Sequence, residues 1–219
     1  MNAKIAKICN FTAHMINVLY IHGMGGGADS RIPSILSEEL CSFGVNVVVR
    51  TYDFDPETAR GQIMRWMEEL QPQLVIGESL GSLHALRLKG VPLLFVSPAL
   101  NAPLYFQIQA WLTLIPGVSR IYQRIYKPRE GDRQQMKFVF SVLRKYKEHR
   151  RQAMLCDSPV YAFFGTHDHY RRSGIVSVRT WKKHFGETFS MYEGTHFMEE
   201  GYVRTMLVDK ILEVLDINR

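Results

Sequence analysis

The chain has 219 residues, an apolar fraction of 46% and a formal net charge of +6. That length suits one α/β domain with a full core and is short for two. No stretch reaches the roughly 18 consecutive apolar residues of a membrane span, and the three cysteines, Cys9, Cys41 and Cys156, are odd in number and lack metal spacing, which argues against a disulfide framework and for a reducing, cytoplasmic setting.

The residues before Asn17 carry two lysines but no long apolar core and no small-residue cleavage site, so no secretory signal is read there; they form either a short edge strand or an irregular arm. Asn17 to Ile21 is the first predicted strand, and His22-Gly23-Met24-Gly25-Gly26-Gly27 follows it. Asp29 or Ser30 caps a helix over Arg31 to Phe43, which Gly44 ends. Val45 to Arg50 is a β-branched second strand. Asp55-Pro56 opens a helix to Leu70, since proline is well tolerated at a first helical position. Leu74 to Ile76 is the third strand. It runs into Gly77-Glu78-Ser79-Leu80-Gly81, after which a helix is expected over Ser79 to Lys89.

Pro92 to Val96 is the fourth strand and Val160 to Phe164 the fifth, which leads into Gly165-Thr166-His167-Asp168. About sixty residues separate the two, too many for one crossover helix, and helical patterns occur at Tyr105 to Leu114 and Gln134 to Arg150. The charge is concentrated here: Arg120 to Arg151 holds eleven Lys or Arg against three Asp or Glu, a local +8 that leaves −2 elsewhere. Such a run attracts an anionic substrate, a nucleic acid or an acidic membrane surface, or is a solvated face; no nucleic-acid module accompanies it. Thr188 to Tyr192 is the sixth strand. Glu193-Gly194-Thr195-His196-Phe197 follows, and a helix over Phe197 to Leu215 closes the chain. Strands alternating with helices imply an α/β fold with a parallel sheet covered on both faces.

Gly77-Glu78-Ser79-Leu80-Gly81 is a G-x-S-x-G pentapeptide between strand and helix. That placement holds a serine on a sharp, strained turn whose neighbours must be small. Taken with the glycine loop after the first strand, Asp168 after the fifth and His196 after the sixth, the chain resembles the α/β-hydrolase superfamily, and within it the small single-domain bacterial esterase-like members, from about Asn17 to about Leu215. The resemblance implies an α/β-hydrolase fold with a mostly parallel sheet of six or seven strands, one domain over residues 1–219, and a helical cap inserted at about 101–157.

The same resemblance implies a serine hydrolase acting on an ester or thioester through an acyl-serine. Ser79 is the expected nucleophile, His196 its base and Asp168 the acid that orients the histidine. Asp168 also stands by elimination: the fourth strand runs into Ser97-Pro98-Ala99-Leu100-Asn101 with no carboxylate, and Asp53, Asp55 and Asp157 sit at other edges or turns. The oxyanion hole is expected from the backbone N–H of Leu80 and of Met24, with Gly25 as the alternative second donor. Substrate contacts are expected at His22, Gly23, Gly25, Tyr105 and Trp111; His22 reads equally as a structural loop residue, and the apolar cluster around Tyr105 and Trp111 either walls an acyl group or packs the cap onto the core. His167 and His169 flank Asp168 without a third or fourth ligand, so no metal and no cofactor is expected. The expected partner is a small acyl ester or thioester, with the local +8 suggesting an anionic one. The alternatives on the same fold are a non-catalytic binding protein, acyl transfer or peptide cleavage.

Overall fold

The structure, a computed structural model, describes residues 15–127 and 130–218; the edge strand or arm expected ahead of Asn17 falls, for residues 1–14, outside them. Six strands form one sheet: β1 (Ile16–Ile21), β2 (Val45–Val49), β3 (Leu74–Glu78), β4 (Leu93–Val96), β5 (Val160–Gly165) and β6 (Phe189–Tyr192). Their order is β2-β1-β3-β4-β5-β6, and every pairing is parallel. The chain steps outward from β1 to β2 and then returns to the other side of β1 with β3. The crevice between the carboxyl ends of β1 and β3 is therefore the point where the winding reverses, the usual ligand position in an open parallel sheet.

The two-residue period of each strand sorts its side chains between two cores. Val18 and Tyr20 join Leu74, Ile76, Leu94 and Phe163 under α1 (Arg31–Leu40) and the C-terminal helices. Leu19 and Ile21 join Val75, Phe95, Ala162 and Phe164 on the other face. There the cover comes from α2 (Pro56–Leu70), α3 (Gly81–Ala85), α6 (Phe140–Ala153) and α8 (Val178–Phe185). Two of the local signals act as expected, whereas Ser30 ahead of α1 bonds Gly27 and makes no side-chain cap. Asp55 accepts from the backbone N–H of Glu57 and Thr58 ahead of α2, and Gly44, at φ +71, closes the 3₁₀ turn Cys41–Phe43 that ends α1.

Four elements depart from the expectation. The helix after Ser79 is short because, beyond Ala85, Arg87 N–H bonds back to the His84 carbonyl and Leu88 N–H to that of Ala85, a three-residue tightening that precedes Gly90 at φ +72. The last helix starts at α9 (Glu200–Tyr202), not Phe197, since the Glu199 carboxylate folds back onto Thr195 N–H and Oγ1; a π turn, Val203–Leu207, then joins it to α10 (Val208–Val214). Helix α8 is an element beyond the expected ones: Val178, Trp181 and Phe185 recur at i, i+3 and i+7 and pack on the core, while Arg179, Lys182, Lys183 and His184 face away from it. The interval expected as a cap divides in two. α4 (Ala102–Leu112) and α5 (Val118–Ile125) lie ahead of α6, and α6 itself belongs to the layer over the sheet: Val142, Leu143 and Tyr146 are buried with Ile63 and Leu83, and Tyr146 OH donates to the Phe54 carbonyl at 2.7 Å.

The cysteine reading needs correction. Cys156 is free but Cys41 is disulfide-bonded. Disulfides persist in oxidising compartments, so cysteine usage no longer argues for the cytoplasm. No helix among the described residues is long and apolar enough to cross a membrane.

Three buried imidazoles run beneath the β1 loop. His22 stacks on Tyr52 at 4.4 Å, His84 meets the edge of Tyr52 at 4.9 Å, and His149 tilts against His84 at 4.6 Å. Arg87 donates to His149 Nδ1 at 2.7 Å. Burial, reinforced by Arg87, pushes His84 down to about 3, and burial with His84 and Arg87 holds His149 far below the usual imidazole range. Both stay neutral in the folded chain and take up protons once it unfolds. Their stabilisation is therefore complete above the ordinary histidine value of about 6.5 and declines as the pH falls below it. Going from pH 7 to pH 5 should cost about 2 kcal/mol of unfolding free energy per histidine, measurable by urea denaturation at the two pH values. In His84→Leu the loss should shrink by about one such share; an unchanged loss in that variant contradicts the assignment.

Candidate active site

Ser79 follows β3 directly and has φ +49, a left-handed conformation costly for a side chain with a Cβ. Hydrogen bonds on both sides hold it there. Its N–H donates to the Val96 carbonyl at 2.9 Å, and its carbonyl accepts from Ala99 N–H at 3.0 Å and Ser82 N–H at 3.3 Å. The glycines permit the crossing. A Cβ on Gly77 would stand 2.8 Å from Ser82 Cα, and one on Gly81 would stand 2.3 Å from the Ile21 carbonyl and 2.4 Å from that of His22. The second clash is with the backbone of β1 and its loop, so no rotamer relieves it.

β5 and β6 bring in two more groups. Asp168 follows β5, and its carboxylate divides its work: Oδ1 accepts from Tyr170 N–H at 2.8 Å, capping α7 (His169–Arg172), while Oδ2 lies 2.8 Å from His196 Nδ1. One carboxylate thus both caps a helix and contacts an imidazole. His196, after β6, sets Nε2 2.9 Å from Ser79 Oγ. The Asp168 side chain is fully buried and that of His196 is 3% exposed, so water does not compete for their contact. Three side chains separated by up to 117 positions meet at the carboxyl edge of one sheet.

The loop after β1 supplies backbone N–H groups beside the serine. Among the described residues neither Met24 N–H nor Leu80 N–H has a protein acceptor, whereas Gly25 N–H donates to Gln134 Oε1 at 3.1 Å. Gly25 is therefore occupied and Met24 is the open position. Buried Gln134 also donates to the Tyr52 carbonyl and, through its own N–H, to that of Gly26, lacing the loop to the chain ahead of α6.

A cleft of about 250 Å³ adjoins Ser79 and His196. Ala99, Ala102, Phe106, Phe138 and Ile175 give it apolar walls, and the partly exposed Met24, Tyr105 and Phe197 line it where it meets solvent. Of the residues expected to contact substrate, Gly23 and Tyr105 line this cleft and Gly25 lines a second one alongside it. Two do not belong to it. His22 is buried, stacked on Tyr52 with Nδ1 2.8 Å from the Gly23 carbonyl, and supports the loop from below. Trp111 stands on the outer side of α4 against Phe140 and Arg144.

Three contributors were missed. Glu78 borders the cleft, accepts from Tyr20 OH at 2.9 Å, and has its carboxyl raised above the usual range by burial. Tyr170 sets its ring 4.7 Å from that of His196. Gln134 is the third. Glu78, inside the pentapeptide at a strand's carboxyl end, was the one with a readable signal. Among the described residues no group of three or more His, Cys, Asp or Glu is arranged to hold a metal; His167 is exposed and 3.9 Å from Glu193.

No family model and no curated protein matches the chain. Solved structures do. The alpha/beta hydrolase domain-containing protein 10 from mouse superposes with a TM-score of 0.61 at 17% identity, over 91% of this chain and 89% of that one. Est1E from Butyrivibrio proteoclasticus, solved with ferulic acid, gives 0.64 at 16%, over 92% and 90%. The thioesterase domain of the curacin biosynthetic pathway gives 0.57 at 18%, over 91% of each.

The glycine after the serine supplies a direct check of this geometry. Gly81→Ala forces a Cβ onto two backbone carbonyls and should lower stability by at least about 2 kcal/mol, as overpacking of a tight core does. The reading is a drop in the denaturation midpoint. Gly61→Ala, at a helical position with open space around it, should instead leave the midpoint unchanged or raise it.

Proposed function

With the α/β-hydrolase fold as the premise, we propose that the protein is a serine hydrolase that cleaves a carboxylic ester or thioester through an acyl-serine. The observation that carries the reading is the continuous hydrogen-bonded line from Asp168 Oδ2 through His196 to Ser79 Oγ, with contacts of 2.8 and 2.9 Å. A serine hydroxyl is a weak nucleophile until a neighbouring base accepts its proton. Asp168 accepts from His196 Nδ1–H, which leaves Nε2 free to act as that base and favours the imidazolium that forms.

In the first step Ser79 Oγ attacks the carbonyl carbon while its proton passes to His196 Nε2. The carbonyl oxygen gains negative charge and accepts from Met24 N–H and Leu80 N–H; a donor of this kind is worth about 2.7–4 kcal/mol of barrier lowering. As the tetrahedral adduct collapses, the bond to the leaving group breaks, and the departing alkoxide or thiolate takes the proton from His196. Water then attacks the acyl-serine by the same route, giving the acid and restoring Ser79. No step calls for a metal or cofactor. The esterase and thioesterase neighbours support this class of chemistry, and a 250 Å³ apolar cleft suits a medium acyl or small aryl group.

A fluorophosphonate probe should label the purified chain on Ser79, with no labelling of Ser79→Ala. In His196→Ala the labelling rate should fall by about a hundredfold or more, the usual worth of a positioned general base. Aryl-ester hydrolysis should fall in parallel. A folded protein that resists the probe and turns over no ester would make the binding-protein reading the better one.

A further inference from the structure

Helix α4 is apolar nearly all the way round, yet this chain covers one side of it. Ala102, Pro103, Phe106 and Ala110 are buried against the body. Leu104, Ile108, Trp111 and Leu112, at i, i+4, i+7 and i+8, share the opposite side and are exposed, Ile108 by 63% and Trp111 by 58%. The apolar surface continues through Leu114 and Ile115 in the turn after α4, and onto α5 at Ile121 and Ile125, all four more than half exposed. Single exposed apolar residues are ordinary. Eight on two consecutive helices and their turn mark a surface that something covers.

The charges carried by the segment that forms this surface have one sign. No Asp or Glu occurs between Glu78 and Glu130. Arg120 and Arg124 each precede an exposed isoleucine on α5, and Lys127 follows. Among the described residues none of these three forms an ion pair. Much of the basic run beyond them is already matched: Arg133 with Asp29, Lys137 with Asp53, Lys145 with Asp55 and Glu57, Arg151 with Glu148. An amphipathic surface of exposed isoleucine, leucine and tryptophan rimmed by unmatched arginine and lysine has the composition that seats on the interface of a membrane. The surface also reaches the site. Ile125 and Lys127 line the cleft that shares Met24, Glu78 and Phe197 with the one beside Ser79.

We propose that the α4–α5 face docks on an anionic lipid bilayer. The apolar side chains enter the boundary between headgroups and acyl chains, while Arg120, Arg124 and Lys127 meet the lipid anions. A second copy of this chain fits less well: a two-fold interface would bring three unpaired cations from each protomer together, and neither α4 nor α5 carries a carboxylate to offset them. Docking rests on this surface alone. Its consequence for catalysis, that acyl chains reach Ser79 from the membrane side, rests on the proposed ester chemistry.

Binding is therefore measured on the full chain carrying Ser79→Ala, so that lipid cleavage plays no part. The protein should co-sediment with vesicles of phosphatidylcholine and phosphatidylglycerol, far less with phosphatidylcholine alone, and high salt should release it. Tryptophan emission should shift to the blue on the anionic vesicles, and Trp111→Phe should abolish that shift. Ile108→Asp with Ile121→Asp should weaken binding by about tenfold or more. A triple Arg120→Gln, Arg124→Gln, Lys127→Gln variant should bind both vesicle types alike. With Ser79 restored, the double aspartate variant should hydrolyse a soluble short-chain ester as the parent does, which separates a docking defect from a chemical one and from misfolding. Failure to sediment with the anionic vesicles, or equal binding to both by the parent, overturns the proposal. So does a concentration-dependent dimer that Ile108→Asp dissociates.

Discussion

The left-handed backbone at Ser79 is the constraint on which the site depends. It turns the chain out of a fully buried strand within one residue and lifts a hydroxyl above the sheet edge. Left alone it would relax, at a gain of the order of 1 kcal/mol or more. It cannot relax, because the Ser79 N–H is bonded to β4 and its carbonyl to the chain that leaves β4. The next residue but one, Gly81, passes so close to the Ile21 and His22 carbonyls that no Cβ would fit between them. Packing of β1, β3 and β4 thus stores the strain. The same packing sets Leu80 and Met24 on one cleft, at the crevice where the winding of the sheet reverses.

His196 and Asp168 reach this point because β5 and β6 continue the parallel order by one strand each. Every strand then ends at the same edge, and a short loop from any of them meets its neighbours there. The burial of Asp168 follows from its double use. A carboxylate without partners is costly inside a protein, and this one has a backbone N–H on one oxygen and an imidazole on the other. The position of His196 is fixed in turn by the fold-back of Glu199 onto Thr195, which delays the start of α9 and keeps the histidine out of helix.

What could be read from the residues alone was whatever local chemistry decides. Apolar β-branched runs gave the strands to within a few positions, Asp55-Pro56 gave the start of α2, and the spacing of glycines around Ser79 gave the turn. What escaped depends on distant partners. Gln134 looks like any polar residue of a basic segment until the β1 loop folds over it. His22 and Trp111 were expected at the substrate, but stacking on Tyr52 draws one beneath the loop, and the other follows the outward face of α4. Helix α8 does carry a helical period, Val178, Trp181 and Phe185 at i, i+3 and i+7, but four basic side chains crowd its eight residues between a glycine turn and a strand. The helical patterns between Asn101 and Cys156 did not show that the stretch serves two ends: α6 completes the layer over the sheet, while α4 and α5 carry an exposed apolar surface beside the cleft.

In the proposed reaction Ser79 carries the acyl group between the two halves. A slowly deacylating aryl ester, mixed with the full chain and quenched in acid within seconds, tests it by intact-protein mass and peptide mapping. The expected result is one added acyl mass per chain, on the peptide that holds Ser79, appearing together with a burst of released phenol and decaying at the turnover rate. Turnover with no covalent species at any time, or an acyl group carried on another residue, would contradict it.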